Sequence, residues 1–247
     1  MIQRLRRRWW QVLLLILALA VLVFVGWASI IPSPMPEAIA ALQPDARVSV
    51  QTTPWLVFRP VGREPDAGLI LYPGAKIEHR AYAPAARAMA EQGYLVVVVP
   101  MPLHLAVLGA ERAKGVIDAF PAIQHWAVGG HSLGGAMAAQ FAHRHQDLVE
   151  GLVLWAAYPA KADDLSASAL KVVSISATQD RLTSAGDIEA SRVRLPADTR
   201  YVVIQGGNHS QFGWYGTQYG DNAPTILRQS QQDQVVAATL ELLRQLQ

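Results

Sequence analysis

A serine flanked by glycines on both sides is the residue in this sequence best suited to act as a nucleophile. It lies in the stretch WAVGGHSLGGAM, where Gly130-His131-Ser132-Leu133-Gly134 fits the pattern G-x-S-x-G. The residues before Ser132 are typical of a strand and those after it of a helix. The pattern therefore predicts a sharp strand-to-helix turn that exposes the serine Oγ, with glycines that allow close backbone packing. A glycine-rich turn with a purely structural role is the alternative interpretation.

A serine hydroxyl needs a base to take its proton, and the base needs a carboxylate to orient it. Asp180 directly follows the apolar run KVVSISA, and His209 lies on a glycine-rich loop after YVVIQ. Both residues are thus expected at the carboxyl ends of buried strands, where the functional residues of parallel sheets collect. Other acids remain possible partners for the base, and a turn or helix-cap role is open for the aspartate. These alternative acids are Asp163, Asp164 and Asp187.

Two backbone N–H groups are candidates for binding a developing oxyanion. One belongs to Leu133, directly after the serine, and the other to Ala75 in the loop YPGAKI. Ordinary turn chemistry explains the Pro-Gly pair of that loop as well. A candidate substrate-binding set consists of aromatic residues after His209 and one histidine in an earlier loop, although the aromatic residues could equally pack the loop onto the sheet. These residues are Phe212, Trp214, Tyr215 and His104.

Short apolar runs alternate with longer amphipathic ones from Val48 onward. Eight of the runs predict strands: Val48–Thr52, Trp55–Arg59, Gly68–Tyr72, Tyr94–Pro100, Trp126–Gly130, Gly151–Ala156, Lys171–Ala177 and Tyr201–Gln205. Five predict helices: Ala83–Gln92, Leu105–Ala119, Leu133–His145, Ser184–Arg194 and Gln231–Leu246. Such alternation is typical of an α/β fold with a mostly parallel, doubly wound sheet and helices on both faces. Only about fourteen residues separate the sixth and seventh strands, too few for an inserted lid domain.

The motifs GGHSLGG, TQD and GGNH, in this order, resemble the α/β-hydrolase family over roughly Val48 to Leu246. The wider pattern is similar to bacterial hydrolases close to the dienelactone hydrolases. The resemblance implies an esterase-type Ser-Asp-His site at Ser132, Asp180 and His209. Two differences between this sequence and those families limit what the resemblance implies. Dienelactone hydrolases have cysteine where this chain has Ser132, and Tyr72-Pro73-Gly74 replaces the His-Gly form common in lipases.

The N-terminal residues predict a membrane anchor. Val12 to Ile31 is an uncharged apolar run of 20 residues, which as a helix would match the hydrocarbon thickness of a bilayer. Four arginines precede this run and no basic residue follows it before Arg47, so the positive-inside rule predicts a cytoplasmic N-terminus. A cleaved signal peptide is the alternative. The resulting organisation has four parts: a basic N-terminus (1–11), a signal anchor (12–31), a Pro-rich linker (32–46) and a hydrolase domain (47–247).

Composition narrows the classes of function. The four N-terminal arginines belong to a total of 21 basic residues, so the rest of the chain has 17 against 19 acidic residues. That balance and the lack of a recognition motif argue against nucleic-acid binding. The chain has no cysteine, which excludes a thiol nucleophile and a disulfide framework. We expect no metal and no organic cofactor.

These observations predict a membrane-bound serine hydrolase whose catalytic domain lies on the extracytoplasmic side. Its substrate would be a small molecule with an ester-type bond and a small or exposed acyl group. Two alternatives remain open from the sequence. The same triad could transfer an acyl group to an alcohol or amine, or the domain could be a catalytically silent binding or scaffold protein.

Overall fold

The structure, a computed structural model, describes residues 9–247, so most of the basic N-terminus lies outside the described residues. The first element is α1 (Trp9–Ser29), a 21-residue helix in which only Ala28 is buried. By length and composition it could cross a membrane, and a signal sequence would pass the same test. The helix begins before the predicted anchor segment and ends before Pro32, since the residue preceding a proline disfavours helical geometry. A short helix, α2 (Pro36–Ala40), follows.

Eight strands form one sheet, as the apolar runs predict. They are β1 (Val48–Gln51), β2 (Leu56–Pro60), β3 (Ala67–Tyr72), β4 (Leu95–Val98), β5 (His125–His131), β6 (Gly151–Trp155), β7 (Lys171–Ala177) and β8 (Arg200–Ile204). Their spatial order is β1-β2-β4-β3-β5-β6-β7-β8. The first two strands run antiparallel to their neighbours, and the rest pair in parallel. The central strands are buried on both faces, which explains their continuous apolar sequences.

Five further helices connect or follow the strands: α3 (Ala83–Glu91), α4 (Arg112–Ala119), α5 (Leu133–Arg144), α6 (Ala185–Ser191) and α7 (Arg228–Leu243). Residues of α3 and α7 pack on one face of the sheet, and residues of α4 and α5 on the other. The predicted fold class is therefore confirmed. The connection from β6 to β7, residues 156–170, contains no helix or strand.

Two helices are clearly shorter than predicted: Ala185–Ser191 instead of Ser184–Arg194, and Arg112–Ala119 instead of Leu105–Ala119. Instead of a single helix over Leu105–Ala119, this span has a 3-10 turn over Ala106–Leu108 and then α4 from Arg112, and another 3-10 turn, Pro102–His104, precedes it. Leu103 and His104 have positive φ angles, and Gly109 has a non-helical backbone conformation. These residues turn the chain sharply beside the carboxyl end of β3, where the His104 carbonyl accepts the Lys76 N–H at 2.8 Å.

The parallel sheet determines where the candidate functional residues lie. The carboxyl ends of β3, β5, β7 and β8 fall at the same edge, with Tyr72 of β3 opposite Gly130 of β5. Ala75, Ser132, Asp180 and His209 each follow one of these four strands within a few residues. The fold therefore brings all four segments to one edge of the molecule.

Candidate active site

Ser132 occupies a strained turn between β5 and α5. Its backbone angles are φ 53° and ψ −123°, a conformation that non-glycine residues rarely adopt. The Ser132 N–H donates to the Trp155 carbonyl on β6 at 2.9 Å, which helps to hold this conformation. The residue is only partly buried. Strain of this kind persists only where surrounding structure enforces it, and it clusters at functional sites.

The glycines around Ser132 are required by close packing. A Cβ at Gly134 would collide with the carbonyl oxygens of Tyr72 and Pro73. A Cβ at Gly130 would come within 2.5 Å of the Gly134 backbone. The loop after β3, which carries Ala75, thus lies directly against the first turn of α5.

Asp180 and His209 form a buried hydrogen-bonded pair. The Asp180 Oδ2 and His209 Nδ1 atoms are 2.8 Å apart, and both side chains are almost completely buried. The other carboxylate oxygen, Oδ1, accepts the N–H groups of Leu182 and Thr183, each at 2.8 Å. With both oxygens engaged, the carboxylate has one orientation and fixes the imidazole ring. Within residues 9–247, His209 Nε2 has no hydrogen-bond partner.

The free Nε2 lies on the histidine ring that adjoins the serine turn. The ring centroids of His209 and His131, the residue directly before Ser132, are 4.4 Å apart. No side-chain hydrogen bond joins Ser132 to His209 in the described part of the chain. Loose nucleophile–base geometry is common in ligand-free structures and tightens when substrate binds.

The loop that carries His209 is anchored by α7. The Gln231 side chain accepts the Asn208 N–H at 2.9 Å and donates to the Asn208 carbonyl at 2.8 Å. On the other side of the histidine, the Ser210 N–H and hydroxyl both donate to Asp221, at 2.8 and 2.7 Å. Sequence reasoning missed Gln231 and Asp221, because a glutamine in a polar helix start and an aspartate in a loop carry no local signal.

A buried tyrosine links the serine turn to the loop after β3. The Tyr82 hydroxyl accepts the Gly74 N–H at 2.9 Å and donates to His131 Nδ1 at 2.8 Å. Burial, reinforced by the neighbouring His209, lowers the pKa of His131 well below its usual value. Burial likewise raises the pKa of Tyr82. His131 is therefore a neutral acceptor and Tyr82 a protonated donor, an assignment that the sequence alone did not suggest.

The two candidate oxyanion donors are free to bind a ligand. Leu133 is the first residue of α5, where backbone N–H groups have no intrahelical acceptor. Within the described residues, neither the Leu133 N–H nor the Ala75 N–H donates to another protein group. The residues flanking Ala75 are fixed, since the Gly74 and Lys76 N–H groups donate to the Tyr82 hydroxyl and the His104 carbonyl.

The four candidate substrate-binding residues occupy different environments. Phe212 is fully buried and stacks on His131 at 5.5 Å between ring centroids. Trp214 is largely buried, and its carbonyl accepts the Met35 N–H at 2.8 Å. Tyr215 is also buried, yet it lines a cavity of about 470 Å³ together with Ala75. His104 is half-buried in the strained turn described above.

Comparisons with known proteins agree with this architecture. The sequence profile of the alpha/beta hydrolase family matches residues 68–233, about two thirds of the chain. The chain therefore belongs to the alpha/beta hydrolase family. A search of curated proteins finds no match.

Solved structures with the same fold include two enzymes of low sequence identity. One is a dienelactone hydrolase-like promiscuous phosphotriesterase from metagenomic libraries. It is 18% identical, with a TM-score of 0.59 over 81% of this chain and 97% of the other. The second is a hyperthermophilic esterase from the archaeon Pyrobaculum calidifontis. It is 19% identical, with a TM-score of 0.56 over 83% of this chain and 89% of the other.

Proposed function

We propose that the protein is a serine hydrolase that cleaves an ester-type bond in a small molecule through Ser132, Asp180 and His209. The observation that carries this proposal is the buried Asp180–His209 pair. Its unpartnered Nε2 belongs to a ring 4.4 Å from that of His131, the residue before the strained Ser132. Because the carboxylate engages Nδ1, Nε2 is the nitrogen left to take a proton from a serine hydroxyl. Esterases among the proteins of the same fold support the type of bond.

In the proposed first half-reaction, His209 Nε2 takes the proton of Ser132 Oγ while Oγ forms a bond to the carbonyl carbon of the ester. The carbonyl oxygen becomes an oxyanion, to which the Leu133 and Ala75 N–H groups donate. The tetrahedral intermediate then collapses, the bond to the leaving alkoxide breaks, and His209 gives its proton to that oxygen. The products of this half are an alcohol and an acyl-enzyme.

In the second half, water replaces the alcohol. His209 removes a proton from the water as its oxygen attacks the acyl carbonyl carbon. Collapse of the second intermediate breaks the bond to Ser132 Oγ, which regains its proton from His209, and the carboxylic acid leaves. Asp180 stays ionised throughout, keeping a proton on Nδ1 and stabilising the imidazolium that forms in each half.

We further propose that α1 is an uncleaved anchor and that residues 32–46 link it to a hydrolase domain over 47–247. The helix is long enough for a bilayer, and its surface is almost entirely exposed and apolar. The four arginines before it would face the cytoplasm and the hydrolase domain the opposite side.

The test uses the full chain in detergent micelles. We expect a fluorophosphonate probe to label the wild type, and p-nitrophenyl esters from acetate to dodecanoate to report turnover. Ser132→Ala should lose labelling and lower kcat by about 10⁴-fold or more. Ser49→Ala, an exposed serine on β1, is the matched control and should behave as wild type. A wild type that neither labels nor hydrolyses any ester would refute the proposal.

A further inference from the structure

The cavity of about 470 Å³ has walls from two distant parts of the sequence. Trp27, Ile30 and Pro32, from the end of α1 and the residues after it, form one side. Ala75, Lys76 and Tyr215, from the loops around the candidate active site, contribute to the other. Its volume lies in the range of sites that bind small molecules. Since Ala75 is a proposed oxyanion donor, the cavity adjoins the position of the reacting carbonyl.

Specific contacts hold the end of α1 in this position. The Lys76 ammonium lies 4.2 Å from the centre of the Trp27 ring, a cation–π contact. A few residues later, the Met35 N–H donates to the Trp214 carbonyl at 2.8 Å. The helix also packs against the 3-10 turn Pro102–His104. The wall is thus tied to the hydrolase fold at three places.

The mouth of the cavity carries side chains typical of a membrane surface. Ile30 is 77% exposed and Tyr219 is fully exposed, although both line the cavity. Leu182, which lies beside Gly220, is also exposed. Aromatic residues and lysine are favoured where a membrane helix leaves the hydrocarbon, and Trp27, Tyr219 and Lys76 are all found here.

We infer that this cavity receives the acyl chain of an ester held in the same bilayer as α1, so that the anchor forms part of the substrate site. The inference rests on the proposed function and extends it to long-chain lipid esters. A helix needed only for attachment would have no reason to line a cavity beside the oxyanion loop. Binding in the cavity removes the apolar surface of the acyl chain from water, or replaces the contacts that the acyl chain makes with lipid in the bilayer.

The test uses the full chain reconstituted in phosphatidylcholine vesicles. One substrate is 4-methylumbelliferyl palmitate incorporated in the same vesicles, and the other is soluble 4-methylumbelliferyl acetate. We expect kcat/KM for palmitate to exceed that for acetate. Trp27→Ala should lower kcat/KM for palmitate about tenfold, through lost apolar contact, and lower that for acetate by a clearly smaller factor. The acetate activity also shows that the variant is folded.

Trp10→Ala is the matched control, because Trp10 is an exposed tryptophan of the same helix at its other end. It should leave both activities unchanged. Equal losses on palmitate in the two tryptophan variants, or a wild type that prefers acetate, would overturn the inference. If the fluorophosphonate labels Ser132 in that case, the proposed function still holds. A wild type inert to the probe and to both esters would defeat the proposed function and this inference with it.

Discussion

Two histidines lie side by side below the serine turn, and their hydrogen bonds give them different properties. His209 is held by a carboxylate through Nδ1, which leaves Nε2 free. His131 uses its own Nδ1 to accept a hydrogen bond from the Tyr82 hydroxyl. In the proposed mechanism the His209 ring takes and returns a proton, whereas the His131 ring is kept neutral as part of the packing.

Asp180→Asn tests the carboxylate. The amide can keep its oxygen on the Leu182 and Thr183 N–H groups, which places the NH₂ group opposite His209 Nδ1. The histidine would then carry its proton on Nε2 and could not act as the base. We expect kcat for ester hydrolysis to fall by about 10²–10⁴-fold with little change in KM.

Asp164→Asn is the control for Asp180→Asn, because Asp164 is an exposed acid that the sequence left open as an alternative. It should retain wild-type kcat. A full loss of activity in this variant together with an active Asp180→Asn would contradict the assignment of the acid.

His131 should make stability dependent on pH. Its pKa is lowered in the folded state, so below the ordinary value near 6.5 the unfolded chain binds more protons than the folded one. The contribution of His131 to the free energy of unfolding is therefore fully present above that pH. It is lost as the pH falls below it, by at most about 1.4 kcal/mol per pH unit. Urea unfolding of the full chain in micelles, followed between pH 7 and 5 by tryptophan fluorescence, measures the slope.

His131→Gln should flatten this slope, since glutamine can accept the Tyr82 hydroxyl without titrating. His143→Gln, at a half-buried residue in the last turn of α5, controls for the loss of a histidine elsewhere. Identical slopes in wild type and His131→Gln would show that His131 does not cause the acid sensitivity.

The elements of the fold were predictable to the extent that short-range patterns determine them. All eight strands follow from apolar runs, and α5 from its amphipathic run after the serine turn. The prediction of a helix over Leu105–Ala119 was wrong for its first part, because contacts with the loop after β3 stabilise a turn there. The partners Tyr82 and Gln231 were missed for a related reason. Each acts across the fold, on a residue more than twenty positions away, and no local pattern encodes such a contact.

Replacing two helical glycines by alanine should have opposite effects on stability. Gly134 lies where α5 meets the loop after β3, and Gly115 lies in α4, away from that junction. Gly134→Ala should destabilise the protein by about 2 kcal/mol or more and reduce activity, because the new Cβ pushes against the Tyr72 and Pro73 carbonyls beside the oxyanion loop. Gly115→Ala in α4 meets only the Trp55 side chain, at 3.9 Å, and should stabilise by about 0.5–1 kcal/mol.

The free energies of unfolding of these two glycine variants in urea, with esterase activity alongside, check both signs. A Gly134→Ala protein with wild-type stability and activity would mean that the loop after β3 does not press against α5 as described.

On the scale of the whole molecule, the proposed topology can be tested with reporters fused after Gln247. Alkaline phosphatase folds only after export, whereas β-galactosidase works only in the cytoplasm. We expect activity from the phosphatase fusion alone in a bacterial host, because the four arginines before α1 favour a cytoplasmic N-terminus. The reverse pattern would place the hydrolase domain in the cytoplasm.

The hydrogen bond from the Met35 N–H to the Trp214 carbonyl limits how far the hydrolase domain can lie from the end of α1. Only six residues run from the end of α1 at Ser29 to this bond, which even fully extended span about 20 Å. If α1 crosses a bilayer, the mouth of the cavity cannot approach a neighbouring vesicle or cell. A lipid ester would then reach the enzyme by lateral diffusion in the same membrane, and the rate for that substrate would follow the mole fraction of ester in that membrane.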